Sequence, residues 1–245
     1  MSAVADTALA SDGAALLQLR DLHAWYGESH ILHGLELDVA EGEFVTLMGR
    51  NGSGRSTTLK AIMGIVGRRT GSISFGGQEL TTLAPHRIAR LGIGYCPEER
   101  GVFSSLSVDE NLTLPPQTGE NGMNLEDIHA MFPNLAEHRR SQGSRLSGGE
   151  QQMLAMARIL RTGARLLLLD EITEGLAPVI VGQLGNAIGT LRELGFTILL
   201  AEQNFRFAAP LADRHCIIEH GRIVEIIPKA ELDANMAKLH DYLGV

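Results

Sequence analysis

Residues 49–57 read Gly-Arg-Asn-Gly-Ser-Gly-Arg-Ser-Thr. Gly49 and Gly54 bracket four residues and Ser56 follows one position later, the spacing G-x-x-x-x-G-K-[ST] with Arg55 in the lysine position. Glycines at 49, 52 and 54, with Asn51 and Ser53 among them, let successive backbone N–H groups turn toward one point. A helix starting there adds the positive end of its dipole, so the natural occupant is an anion, a phosphate above all. Ser56 or Thr57 places a hydroxyl where Mg²⁺ can be held beside that phosphate.

Two further stretches carry chemistry. In "LLLLDEITEG" (166–175) an apolar run ends at Asp170 and Glu171. Adjacent acids at the carboxyl end of a buried strand sit in the crevice where α/β sheets take ligands. Asp170 can hold Mg²⁺, directly or through water, and Glu171 can orient and deprotonate a water for attack on a γ-phosphate. In "RLSGGEQQMLAMARIL" (145–160), Ser147, Gly148 and Gly149 make a second glycine-rich helix start, with Met153, Ala157 and Leu160 as its apolar face. Taken alone, Ser147 is an ordinary N-cap; a second anion-binding helix start has a purpose where two chains meet.

The elements that must position these residues can be read from periodicity. "LLQLRDLHAWYG" (16–27) alternates as a half-buried strand, and 32–49 gives a strand, a turn at Glu41-Gly42 and the continuous apolar strand "FVTLM". A helix follows over 56–67, with Leu59, Ile62, Met63 and Val66 at helical spacing, so the glycine loop lies between a buried strand and a helix. Residues 71–80 predict a hairpin turning at Gly76-Gly77, 85–92 a short helix, and "GIGYCPEE" a strand running into a loop. The middle, about 100–162, has helical stretches and the polar insert "PPQTGENGMN", as a helical subdomain inserted in an α/β core would. "ARLLLLDE" and "FTILLAE" are buried strands; between them Ile180, Leu184, Ile188, Leu191 and Leu194 mark one face of a helix stopping at Gly195. "HCIIEHGRIVEI" predicts a hairpin at His220-Gly221, and 229–245 a helical tail. Strands alternating with helices mean a mostly parallel sheet. There is no internal repeat.

The 245 residues suffice for a sizeable core. No apolar run approaches the roughly 18–20 residues of a membrane-spanning helix. A net charge of −8 argues against non-specific binding to nucleic acid. Cys96 and Cys216 lie far apart, without disulfide or zinc spacing, which fits a reducing compartment. Residues 1 to about 15 lack the basic and apolar regions of a signal peptide and read as a loose tail. The bases are skewed, 18 Arg against 3 Lys, which bears on Arg55.

"GRNGSGRST", "LSGGEQQ" and "LLLLDE", in this order and spacing, resemble the ATP-binding subunits of ABC transporters over about residues 16–245. "YCPEERGVFSSLSVDENL", "TEGLAP", "LLAEQN" and the final "YLGV" resemble the branched-chain amino acid importer (LivF-like) branch. The resemblance implies an α/β P-loop NTPase (RecA-like) core with an N-terminal antiparallel β subdomain. It implies that Tyr26 stacks on adenine and that Gly49, Asn51, Gly52, Ser53, Gly54, Arg55, Ser56 and Thr57 bind the phosphates of ATP. Ser56, Asp170 and Glu98 then serve Mg²⁺, and Glu171, Gln203 and Arg55 serve hydrolysis. Ser147, Gly148, Gly149 and Glu150 contact ATP held by the opposite protomer. The implied partners are a second ATP-binding subunit (a heterodimer before a homodimer), two transmembrane permeases and, indirectly, a periplasmic binding protein, with no nucleic acid. The implied location is the cytoplasmic face of the inner membrane, peripherally.

The pattern departs from the superfamily at Glu98 for a glutamine, Gln203 for a histidine, Leu176 for an aspartate and Ile172 for a proline. The first three resemble habits of the branched-chain branch. Gln203 can hydrogen-bond a γ-phosphate or water but cannot become cationic. Arg55 keeps the positive charge and can pair with phosphate bidentately, but is bulkier than lysine in a tight loop. Two readings follow: a working ATPase that accommodates Arg55, or an ATP-gated dimerisation module with little hydrolysis. A soluble ABC ATPase of DNA repair or ribosomes is a third. Elsewhere the nine histidines read as surface or loop residues, and "EHRR" (137–140) as a solvated helix face. Residues 98–112 read as a plain capped loop, while the resemblance implies a groove there for a coupling helix of a permease.

Overall fold

The computed structural model describes residues 15–119 and 122–244. The expected N-terminal tail lies outside them except for Ala15, which opens the first strand. Ala15–Tyr26 (β1) and Ser29–Ala40 (β2) pair antiparallel, with Tyr26 opposite Ser29 across a tight turn. Arg68–Phe75 (β4) and Gln78–Glu79 (β5) complete a four-stranded sheet of order β2-β1-β4-β5. Its alternating pattern buries Leu17, Leu19, Leu22 and Ala24 on one face, as a half-covered sheet requires.

The second sheet has the order β10-β9-β3-β8-β7-β6. It comprises Phe44–Met48 (β3), Ile93–Cys96 (β6), Leu166–Asp170 (β7), Thr197–Ala201 (β8), Arg214–Glu219 (β9) and Arg222–Pro228 (β10). All neighbours pair parallel except β9–β10, the hairpin expected at His220-Gly221. Every residue of β3, β7 and β8 is buried. Phe44, Met48, Leu167, Leu169, Ile198 and Leu200 enter one apolar core, and Val45, Leu47, Leu166, Leu168 and Leu199 the other. Burial on both faces is why these strands read as continuous apolar runs.

The second of those cores lies against the antiparallel sheet and the helix Arg55–Ile62 (α1), and also takes Ile88 of the short helix Pro85–Arg90 (α2). The first lies under the helices Val108–Thr113 (α3), Leu125–Met131 (α4), Pro133–Glu137 (α5), Gly148–Arg161 (α6), Pro178–Glu193 (α7) and Phe205–Ala208 (α8). The tail forms two 3₁₀ turns over 229–235 and then Met236–Leu243 (α9), so it is only partly α-helical.

Four local expectations need correction. The helix after the glycine loop ends at Ile62 rather than near Gly67. The Arg69 guanidinium takes the carbonyls of Ala61 and Ile62 (3.2 Å to the latter), and Gly64 turns the chain with φ 72°; these contacts outweigh the helical spacing of Val66. Leu194 caps α7 and is 60% exposed instead of belonging to its apolar face. "EHRR" is the end of α5 followed by a turn, with Arg139 paired to Asp109 at 3.0 Å. His215 is buried in β9, with Nδ1 2.7 Å from the Thr46 hydroxyl, while His23, His30 and His33 are partly buried on β1 and β2.

Candidate functional site

The glycine loop leaves the carboxyl end of β3 and enters α1. Two of its glycines are obligatory for different reasons. Gly54 caps α1 at φ 116°, a region L-residues rarely occupy, and a Cβ on Gly49 would stand 2.3 Å from the Ile218 carbonyl. The loop folds around a cavity of about 190 Å³ lined by Gly52, Ser53, Gly54, Ser56, Thr57 and Glu171 among others.

Arg55 is the first residue of α1 and only 3% exposed. Its Nη2 donates to Glu171 Oε1 at 2.6 Å and to Asn51 Oδ1 at 3.3 Å. Its Nε and Nη1, and the Ser53 hydroxyl, are buried without a partner. Buried donors left unpaired beside a cavity call for an acceptor inside it. An anion with several oxygens fits that need, and the open N-terminal N–H groups of α1 fit it too.

Asp170 closes β7 and is fully buried. Its Oδ1 accepts from the Ser56 hydroxyl at 2.7 Å, and its Oδ2 from the Tyr95 hydroxyl at 2.9 Å. Burial pushes the Asp170 carboxyl above the usual carboxylate range, and the bonds from Ser56 and Tyr95 oppose that push. Burial, then the charge of Asp170, hold the Tyr95 phenol protonated so that it donates. Ser56 and Asp170 thus present two hard oxygens side by side at the loop, a donor set suited to Mg²⁺.

Glu171 has φ 45°, uncommon outside glycine, and its N–H is tied to the Ala201 carbonyl at 2.8 Å. That backbone points its side chain away from the strand and toward Arg55. The carboxylates of Glu98, Glu171 and Glu174 fall within 4.8 Å of one another. The hydrogen bond to Glu171, then the charges of Glu171 and Glu98, raise the Glu174 carboxyl above its usual range. Glu98, expected beside Ser56 and Asp170, is therefore grouped with the other acid of the site.

The remaining expected residues are spread around this centre. Gln203 is exposed on the loop after β8, its N–H donating to Glu202 Oε1 at 2.9 Å. Tyr26 ends β1, 42% exposed; it does not line the 190 Å³ cavity, whereas Ile31 of β2 does. Ser147 caps α6 in a capping box: Glu150 N–H donates to Ser147 Oγ at 3.3 Å and Ser147 N–H to Glu150 Oε2 at 2.7 Å. A Cβ on Gly149 would stand 2.5 Å from Ile180 Cγ2, so that position must stay small. None of Ser147, Gly148, Gly149 and Glu150 lines the cavity. The larger cavity of about 1160 Å³, between α4, α5 and α7 at the amino ends of β7 and β8, is lined by Met153 of α6 but by none of the expected ATP, Mg²⁺ or hydrolysis residues.

Sequence reasoning passed over Tyr95, Thr173 and Glu202. A tyrosine in the short buried strand β6 signals that its hydroxyl has a partner, but which partner depends on β6 lying beside β7. Glu202 follows a fully buried run, which signals a buried charge, but its side-chain partner Thr173 comes from another turn.

The family model described as ABC transporter matches residues 32–174. The chain is 40% identical over 232 residues to the "High-affinity branched-chain amino acid transport ATP-binding protein BraG" of Pseudomonas aeruginosa, covering 94% of this chain and 100% of that protein. It is 33% identical over 221 residues to the "Lipopolysaccharide export system ATP-binding protein LptB" of Escherichia coli, covering 86% and 89%. Its backbone is similar to the crystal structure of an ATP-binding cassette of an ABC transporter in its ADP conformation, with TM-score 0.80, 22% identity, and 94% and 98% of the two chains covered.

Proposed function

The chain belongs to the ABC transporter family and is an ATP-binding ATPase subunit, and from that premise we propose that it powers import of branched-chain amino acids or related small polar solutes. The observation that carries the proposal is the meeting of loop and strand end, Ser56 with Asp170 at 2.7 Å and Arg55 with Glu171 at 2.6 Å. Similarity along the whole length of a branched-chain transport subunit supports this solute class over lipopolysaccharide export.

In this reading the N–H groups of residues 49–57, with the unpartnered nitrogens of Arg55, bind the phosphates, and Tyr26 takes the adenine. Ser56 and Asp170 would hold Mg²⁺, which when bound neutralises phosphate charge. Glu171 orients the attacking water and accepts its proton, while Gln203 hydrogen-bonds water or the terminal phosphate. Ser147, Gly148, Gly149 and Glu150 lie outside the cavity and serve the ATP of a second ATP-binding subunit. Two ATPs then close the pair of subunits and hydrolysis reopens it, a motion passed to two permeases. A different second subunit and a periplasmic binding protein belong to this proposal. So do attachment at the cytoplasmic face of the inner membrane and a helical subdomain over about 100–162. No helix among the described residues is long and apolar enough to cross a membrane.

The second reading, ATP-gated dimerisation with little hydrolysis, is favoured by one observation: Arg55 occupies the carboxylate that would take the water's proton. Uptake into proteoliposomes containing the permeases, the binding protein and both ATP-binding subunits tests the import reading. ATP-driven accumulation of leucine, an amide or urea is expected. ATP turnover with outward movement of solute refutes import.

A further inference from the structure

Glu202 is a carboxylate with almost no access to water, 3% exposed, immediately after β8. Left unpaired, such a charge would be strongly destabilising. Here both oxygens are engaged. Oε1 accepts the backbone N–H of Gln203 at 2.9 Å and of Asn204 at 3.0 Å, and Oε2 accepts the Thr173 hydroxyl at 2.9 Å. Burial pushes the carboxyl above its usual range, and these three bonds oppose the push.

The partners give the contact its meaning. Thr173 lies two residues after Glu171, in the turn leaving β7. Gln203 opens the loop leaving β8. The Glu202 N–H itself donates to the Leu47 carbonyl at 3.1 Å, on β3 just before the glycine loop. One residue therefore joins the three strand ends that carry the phosphate loop, the acid pair and Gln203. Past it, the Asn204 side chain accepts from Phe207 N–H at 3.3 Å, so the loop is pinned by its backbone while the Gln203 side chain stays exposed.

We infer that Glu202 is a positioning residue for ATP hydrolysis, holding Gln203 in register with Glu171 through Thr173. The inference rests on the proposed roles of Gln203 and Glu171. Glutamine at 202 would preserve the connections, offering its oxygen to the two N–H groups and its NH₂ to the Thr173 oxygen. Alanine would keep the backbone bond to Leu47 but lose all three side-chain connections, and displacing a catalytic group by about 1 Å can cost on the order of 10²-fold in rate.

The test is steady-state ATP hydrolysis by the subunit assembled with its membrane partners, read as kcat and KM. The chains compared are wild type, Glu202→Gln, Glu202→Ala, Gln203→Ala, the double Glu202→Ala/Gln203→Ala and Glu171→Gln. Glu202→Ala is expected to lower kcat by about tenfold to a hundredfold with KM within about threefold. Glu202→Gln is expected to recover most of the rate. The double variant is expected to match Gln203→Ala alone, because Glu202 acts through Gln203. If the two losses multiply, or if Glu202→Gln loses as much as Glu202→Ala, the positioning role is overturned. Glu202→Gln keeps the question open to experiment should Glu202→Ala fail to fold. If wild type is no faster than Glu171→Gln, the hydrolytic reading itself falls and the inference with it; if wild type turns over, only the inference is at stake.

Discussion

Arg55 and Glu171 form an ion pair, with Nη2 2.6 Å from Oε1, the arginine side chain buried at 3% and the glutamate side chain 15% exposed. The arginine that stands in the loop's lysine position thus holds the carboxylate proposed to activate water. Incoming phosphate offers the same guanidinium a stronger set of acceptors, and its two unpartnered nitrogens already face a need for one. The pair also offsets the crowding of Glu98, Glu171 and Glu174.

Removing the cation should therefore hurt before any chemistry is measured. Arg55→Ala leaves the half-buried Glu171 unpaired beside two exposed acids, and losing a hydrogen bond to a charged group costs about 1.5–3 kcal/mol. Urea unfolding without nucleotide should show a loss of that order, and ATP affinity should fall at least about tenfold. Unchanged unfolding would mean that the pair contributes nothing to the folded state.

Tyr95 is the second lever on the site. Tyr95→Phe removes the donor to Asp170 Oδ2 and leaves the Ser56 bond to Oδ1. A hydrogen bond to a charged group contributes about 1.5–3 kcal/mol, so unfolding stability should drop by that much. The Mg²⁺ concentration giving half-maximal hydrolysis should shift with it. A Tyr95→Phe variant with wild-type stability and Mg²⁺ dependence would remove Tyr95 from the site.

His215 sets a pH limit on the fold. Burial first, then the charge of Lys229, push its pKa down to about 4 from 6.5. Between those values the unfolded chain binds a proton that the folded chain refuses. Stability is therefore full above about pH 6.5 and is lost as pH falls toward about 4, by up to about 3 kcal/mol. His215→Gln, which can still bond the Thr46 hydroxyl, should flatten the loss between pH 7 and 5 in urea titrations. Equal slopes in both chains would show that His215 is not held neutral.

The parts of this molecule that were legible in the sequence are local ones. The glycine loop, the acids ending β7 and the N-cap at Ser147 each depend on residues within a few positions of one another. The full burial of β3, β7 and β8 showed as apolar runs because a sheet covered on both faces has no polar side. What escaped depends on which elements become neighbours. Arg69 ends α1 from the strand that follows it, β4; Tyr95 reaches Asp170 only because β6 pairs with β7, and Glu202 finds Thr173 only because β8 lies beside β7. His215 escaped for the same reason: its partner, Thr46, lies 169 positions away on the adjoining strand.

The most direct measurement is ATP hydrolysis by the subunit assembled with its membrane partners, comparing wild type, Arg55→Lys and Glu171→Gln. The account predicts that wild type turns over at least about tenfold faster than Glu171→Gln, because the acid proposed to activate water is in place and phosphate draws Arg55 from it. Wild type no faster than Glu171→Gln, with the rate restored by Arg55→Lys, would contradict it and leave the loop an ATP-gated switch.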